Sequence, residues 1–288
     1  MNSVRDKKFA KWLLPALVEW AVIVLLFVAA YWINSVWGWL VALVLLGSRQ
    51  HALAILGHDG AHRLAARNKR LNDLATQLLC FWPLGVGLRA YRRFHFRHHR
   101  HVGTERDPEL IHKNDWSKEQ WSIPKTRLQI FTYFLGDLVG FGIPEMIKAI
   151  RLIGKASLWD WAGPFLWWGL AGTILCLSGC WLAVVVWFGA LYSSFWGFFR
   201  LRIWTEHVGT TYVHRVRANW WQRLLIAPYN TWYHYEHHEH PSVPFWQLPK
   251  LRGKQDNTVS IAELFKSYGL ALPANLEDRV ASLSGAKQ

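Results

Sequence analysis

Two long stretches of this chain contain no lysine or arginine, and a chain built around them has few folds open to it. Trp12 to Ser48 runs for 37 residues with Glu19 as its one acid, and Ala156 to Phe199 runs for 44 with only Asp160. A helix needs about 20 predominantly apolar residues to cross a bilayer. Each stretch therefore holds two spans and a short turn. The spans are expected at roughly 12–32, 36–57, 159–178 and 181–203. The turns fall near Asn34-Ser35 and Ser178-Gly179, where polar and small residues interrupt the apolar runs. The expected fold is all-α and integral to a membrane, with four transmembrane helices in two hairpins and a cytosolic helical cap. The early basic residues Arg5, Lys7 and Lys8 are not read as a signal peptide, because no small-residue cleavage site precedes a soluble domain.

Composition agrees with this reading and excludes others. The chain is 52% hydrophobic and 18% charged, against about 25% charged in ordinary soluble domains. Disordered chains lack that apolar content. Three cysteines, Cys80, Cys176 and Cys180, do not make a disulfide scaffold. The net charge is +14. With both hairpins dipping in and returning, the Lys and Arg are expected outside the hairpins and on one face, which the positive-inside rule names cytoplasmic. Both termini are then cytoplasmic too. The charge serves orientation and attraction to anionic lipid first, and docking of an acidic electron carrier second. Nucleic-acid binding is not expected, as no motif for it is present. Tryptophans near the span ends (Trp12, Trp32, Trp37, Trp39, Trp159, Trp161, Trp181, Trp204) suit interfacial belts.

Between the hairpins, 78–91 and 128–150 are moderately apolar but broken by residues such as Pro83, Gly85, Gly87, Asp137, Gly140 and Pro144. In-plane or re-entrant helices are expected there. After 252 the chain reads as a soluble tail, so the expected division is 1–252 as the membrane domain with its cap and 253–288 as a cytosolic tail.

The 14 histidines carry the chemistry. His58-Asp-Gly-Ala-His62 is HxxxH, while His95-Phe-Arg-His98-His99 and His234-Tyr-Glu-His237-His238 are both HxxHH. Chance supplies roughly 0.03 HxxHH matches in such a chain, so two require a cause. Residues i, i+3 and i+4 share one helical face. HxxxH therefore aims two imidazoles at one point, and HxxHH aims two with a third at a neighbouring angle. The first box continues the second span, and His207 follows the fourth, so four segments converge. Nine nitrogens result: His58, His62, His95, His98, His99, His207, His234, His237 and His238. One metal takes fewer ligands than that, so two metals fit the count. Imidazole suits Zn, Cu, Fe and Ni alike. Asp59, Glu206 and Glu236 are expected to support the ring orientations. His51, seven residues before His58 on the same face, is expected beside them or as a buried polar residue. His101 and His240 point elsewhere, and His112 and His214 lack partner spacing.

On these residues the chain resembles the membrane fatty-acid desaturase superfamily over roughly 45–252. The matching strings are HDGAH at 58–62, HFRHH at 95–99, RIWTEH at 202–207 and NTWYHYEHHEHPSVP at 230–244, with flanks RNKRLND at 67–73 and VGTERDPE at 102–109. The resemblance implies a cytosol-facing pair of iron ions held by the nine histidines, with O2 as co-substrate and an unactivated C–H bond as target. Fatty acyl desaturation is the leading expectation. Hydroxylation or ketolation of an acyl, alkane or carotenoid substrate is the alternative, and a zinc hydrolase or metal-binding membrane protein is the alternative from another class. Where some members carry an Asn four residues before the late His, this chain has Ile203, and Asn230 is a possible orienting or water-holding group instead. The HxxxH box departs from the longer spacing of animal acyl-CoA desaturases, and His234 replaces the Gln of front-end desaturases. No fused cytochrome b domain is visible, which implies a separate donor such as ferredoxin or rubredoxin. The substrate is expected to be a lipid, with Arg89, Arg92 and Arg93 as candidates for an anionic head group.

Overall fold

A computed structural model describes residues 6–153, 157–254 and 257–267. In chain order the helices are α1 (Phe9–Ile33), α2 (Val36–Ala61), α3 (Lys69–Thr76), α4 (Leu88–His101), α5 (Pro108–Trp116), α6 (Arg127–Leu138), α7 (Ile143–Leu152), α8 (Leu158–Leu177), α9 (Trp181–Leu191), α10 (Ser194–Trp204), α11 (Trp220–Leu225), α12 (His234–Glu239) and α13 (Ile261–Leu264). A two-residue parallel pair, β1 (Val216–Arg217) with β2 (Val259–Ser260), is the one strand pairing among the described residues.

The first hairpin forms where expected. Asn34 adopts a left-handed conformation that ends α1, and the Ser35 hydroxyl accepts from Gly38 N at 3.1 Å to start α2. Among the described residues, three helices are long and apolar enough to cross a membrane: 9–33, 36–61 and the α9–α10 run 181–204. The expected third span coincides with α8 in its bounds, but Asp160, Pro164 and several tryptophans keep α8 outside that set. Asp160 belongs to the capping box with Ser157 that starts α8. The fourth candidate is the pair α6–α7, which bends by 80° at its break. Leu128, Phe131, Leu135 and Val139, spaced three to four apart, are exposed along it, as a helix lying at an apolar surface requires.

Arg49, Arg200 and Arg202 lie within the expected spans 36–57 and 181–203 rather than outside them, correcting the expected segregation. Each is neutralised by a carboxylate distant in sequence or one turn away. Arg49 in α2 meets both Glu19 oxygens at 3.2 Å, with Ser48 and the Leu224 carbonyl completing its shell and the Tyr229 hydroxyl donating to Glu19. Arg200 and Arg202 in α10 pair with Asp137 and Glu145 and with Glu206 respectively.

The stretch 77–87 is a π-helical turn over Gln77–Phe81 followed by irregular backbone, and tryptophans from the long helices satisfy its carbonyls. Non-helical backbone survives at membrane depth only where protein satisfies its carbonyls. Trp20 Nε1 of α1 donates to Leu79 O at 2.9 Å, while Trp168 Nε1 of α8 and Trp187 Nε1 of α9 donate to Pro83 O at 2.9 and 3.1 Å. The belt reading needs a similar correction at two positions. Trp32, Trp37, Trp161 and Trp181 are exposed near helix ends, but Trp12 and Trp204 are fully buried, donating to Leu56 O and Gln120 O. The Trp159 side chain lies outside the described residues.

Packing continues past residue 252. Ile261, Leu264 and Phe265 are buried in a cluster with Trp204 and Val216, and Phe265 O accepts from Lys125 N at 2.7 Å. The body of the fold thus reaches at least Ser267, and 268–288 lies outside the described residues. A short amphipathic helix gives too little periodicity to separate it from a polar tail.

Close approach of α2 and α10 sets the frame of the site. A Cβ at Gly47 would fall 2.1 Å from Ser194 Oγ and 2.4 Å from Phe195 N. Backbone cannot yield as a flexible side chain does, so Gly47→Ala is expected to destabilise by about 1–3 kcal/mol or more. A lowered melting temperature in detergent is the measurement, and an unchanged one would refute the tight contact.

Candidate metal centre

Four segments deliver the nine histidines. His58 lies in the last turn of α2 and His62 caps its end, His95, His98 and His99 share α4, His207 follows α10, and α12 carries the last three. They form two groups. His58, His62, His95, His99 and His237 compose one, and His98, His207, His234 and His238 the other, with the ligand atoms of each group within 4.8 Å of one another. Every expected ring is placed, and none is left outside.

The HxxHH spacing divides each box between the groups. In α4 the i, i+4 pair His95 and His99 serves the five-ring group and His98 the four-ring group. In α12 the division is reversed: His234 and His238 serve the four-ring group, and His237 crosses to the other. The two helices are thereby interlocked. His99 and His238 stack across the boundary with centroids 4.3 Å apart.

The Nε2 atoms crowd together. His95 Nε2 lies 2.8 Å from His62 Nε2 and 2.9 Å from His99 Nε2, His99 lies 3.1 Å from His237, and His234 lies 2.9 and 3.2 Å from His207 and His238. His58 Nε2 is buried with no hydrogen-bond partner. Burial, reinforced by repulsion from neighbouring cations, holds His62, His95, His207, His234, His237 and His238 well below the ordinary imidazole value, and His99 is pushed down to about 4. Neutral rings with lone pairs gathered at two points form a donor set that fits two cations. At His98 burial pulls the same way, yet Glu109 and Asp107 outweigh it and raise the ring. The carboxylates that favour a proton there favour a metal cation equally.

Outer partners fix two tautomers. His98 Nδ1 donates to Asp107 Oδ1 at 2.9 Å, and His207 Nδ1 donates to Tyr212 O at 2.9 Å, the proton positions following from those acceptors. Asp107 also accepts from Gly103 N and Glu109 N, so it starts α5 while it aims His98. Sequence reasoning passed over Asp107. Its signal was the Asp107-Pro108-Glu109 start of a helix, directly after the second box. Asp107→Asn is expected to cost about 10–100-fold in metal affinity. Titrating iron out with graded chelator checks this, and wild-type retention would contradict it.

The other expected supports are spread more widely. Asp59 accepts from Phe245 N at 3.2 Å, and Asn230 Nδ2 donates to Phe245 O at 3.0 Å, so together they pin the backbone of one residue beyond α12 rather than a ring. Glu236 is taken by Arg252 at 2.7 Å and Arg215 at 3.1 Å. Glu206 pairs with Arg202 and stands 3.5 Å from His234 Nε2. His51 is fully buried with its ring edge-on to Phe195 and Phe199, and neither ring nitrogen has a hydrogen-bond partner among the described residues. His112 bonds Glu145, and His214 Nε2 donates to Val208 O, both away from the centre. Arg92 is occupied by Asp73 and the carbonyls of Gly60 and Ala61, which clamp α4 to the end of α2. Arg89 is exposed, and Arg93 is exposed with Asp160 at 3.9 Å.

A family model described as fatty acid desaturase matches residues 34–259, spanning every ligand. The chain belongs to the fatty acid desaturase family. It is a membrane oxidoreductase of the di-iron class. Dihydrorhizobitoxine desaturase of Bradyrhizobium elkanii is 26% identical over 264 residues, covering 82% of this chain and 72% of that protein. A beta-carotene ketolase of a Paracoccus species is 28% identical over 213 residues, covering 71% and 75%. The human sphingolipid delta(4)-desaturase/C4-monooxygenase DES2 is 27% identical over 257 residues, covering 82% and 73%. This desaturase-family chain is thus similar to proteins with differing substrates.

Proposed function

We propose that this desaturase-family protein uses two iron ions and O2 to remove hydrogen from an unactivated C–H bond of a lipid, with fatty acyl desaturation as the reaction. The carrying observation is the division of nine imidazoles into adjacent groups of five and four on a helical bundle with exposed apolar flanks. The His58–His62–His95–His99–His237 set would hold one ion and the His98–His207–His234–His238 set the other. Imidazole-bound iron with open positions supplies oxygen activation. The protein's part is to fix the rings and keep water from the buried centre. Asp107 and the Tyr212 carbonyl hold two of those rings in the tautomer that leaves Nε2 free.

The likeness to a beta-carotene ketolase favours a second reading, oxygen insertion into a terpenoid. Position of the C–H bond decides between the outcomes at ångström scale. We further propose that the metal centre faces the cytoplasm and takes electrons from a separate ferredoxin or rubredoxin. The basic excess of the chain supports both. Expression in a heterologous host with such a donor, followed by mass spectrometry of lipids and isoprenoids, tests the reading. Loss of two hydrogens from an acyl chain is the expected result, a gain of oxygen would favour the second reading, and zinc alone under iron-replete conditions would refute both.

A further inference from the structure

Two carboxylates stand at the ligand edge of the four-histidine group. Glu206 Oε2 lies 3.5 Å from His234 Nε2, and Glu109 Oε1 lies 3.9 Å from His98 Nε2. Among the described residues, the ion pairs between histidine and an acid fall on His98, His112 and His234, and none falls on the five-ring group. The two groups differ in kind as well as in number.

The nitrogen that Glu206 approaches decides its role. A carboxylate that fixes a tautomer meets the ring nitrogen facing away from the metal, as Asp107 does at His98 Nδ1. Glu206 meets His234 at Nε2, the same atom that lies 2.9 Å from His207 Nε2 and 3.2 Å from His238 Nε2. It therefore shares the space into which the rings point. Donor atoms bound to one metal at roughly 2.0–2.2 Å stand about 3–4 Å apart. The separation of 3.5 Å from His234 Nε2 falls within that range.

The carboxylate is also held ready. Glu206 is buried, and Arg202 one turn earlier grips Oε1 at 2.6 Å and Oε2 at 3.0 Å. The guanidinium uses one lone-pair direction on each oxygen, which leaves Oε2 a second acceptor position, and Oε2 is the oxygen 3.5 Å from His234 Nε2. Glu109 repeats the arrangement more loosely, with Oε2 taken by Lys113 at 3.4 Å and Oε1 turned toward His98.

Building on the di-iron reading above, we propose that Glu206 is an oxygen ligand of the four-histidine site. The metal pair is then unlike: one ion in an all-nitrogen shell and one in a mixed nitrogen–oxygen shell, with Glu109 adding a second negative charge beside it. Hard anionic oxygen favours the higher oxidation state. The four-histidine iron is accordingly the harder of the two to reduce.

Mössbauer spectra of the detergent-purified holoenzyme loaded with iron-57 test this, together with iron per chain. Wild type is expected to hold two irons and to show two quadrupole doublets of equal area. Glu206→Gln should shift or remove one doublet and leave the other in place. Glu206→Asp, which keeps the charge that faces Arg202 but draws the oxygen back by one methylene, should act on the same doublet. A single doublet in wild type, or both doublets unchanged in either folded variant, would overturn the assignment of Glu206 while leaving the di-iron reading intact. A wild-type protein that binds no iron would overturn the di-iron reading, and this inference with it.

Discussion

His95→Ala is expected to abolish turnover and to strip iron selectively from one of the two sites. His95 Nε2 has the closest contacts of the five-ring group, 2.8 Å to His62 and 2.9 Å to His99, and Tyr91 stacks on its other side with centroids 5.5 Å apart. No neighbouring donor can swing into the gap without leaving its own place. Loss of an outer partner costs about 10–100-fold, so loss of a ligand should exceed about 100-fold in product formed. His98→Ala supplies the contrast. It lies three residues away on the same helix, yet its ring belongs to the other group. The two variants should therefore lose different irons, each with about half of the metal retained, as expected when each site binds independently. Metal analysis per chain and product yield measure both effects. Equal and complete iron loss in both would mean that the sites bind as one unit, and full activity in either would remove that ring from the centre.

Much of this was legible in the sequence, because periodicity and charge are local signals. Two basic-free runs announced the long apolar helices, and the turn at Asn34-Ser35 lies where the left-handed residue and the cap are found. The three boxes and His207 named all nine rings, since i, i+3 and i+4 fix a helical face wherever the helix lies. Their division into five and four was not legible. It depends on α4 and α12 facing one another, and no spacing within either helix encodes that. Asp107 was hidden for a related reason: an acid beside a proline reads as a helix start, and its second task at His98 appears only once the chain has turned back. The ion pairs of Arg49 with Glu19 and of Arg200 with Asp137 join residues 30 and 63 positions apart. Hydropathy sees only a charge in a span and not its partner. The same blindness applied to Trp20, Trp168 and Trp187, whose indoles donate to the Leu79 and Pro83 carbonyls from three different helices.

Arg200→Leu is expected to produce the largest loss of stability of any single substitution away from the histidines. The side chain is 1% exposed and donates to Asp137 at 2.7 and 3.0 Å and to Glu145 at 2.7 Å. Glu145 in turn accepts from His112 and Trp121, and the guanidinium lies over the Trp121 ring, 5.0 Å from its centroid. Four helices meet in this network, since Arg200 belongs to α10, Asp137 to α6, Glu145 to α7 and His112 to α5. Leucine would leave two buried carboxylates without their cation, and breaking a buried pair in that way costs about 3–5 kcal/mol. Asp137→Asn should cost less, because Arg200 keeps Glu145 and no uncompensated anion is created. The ordering separates charge compensation from packing: if loss of side-chain volume governed the effect, Arg200→Met would be nearly silent, whereas uncompensated charge predicts that it melts with Arg200→Leu. Thermal unfolding in detergent reads the order, and iron content reads the consequence. Arg200 precedes Arg202 by two residues and His207 by seven on one continuous segment, so a loosened α10 should release the metal held by His207 before the one held by His95.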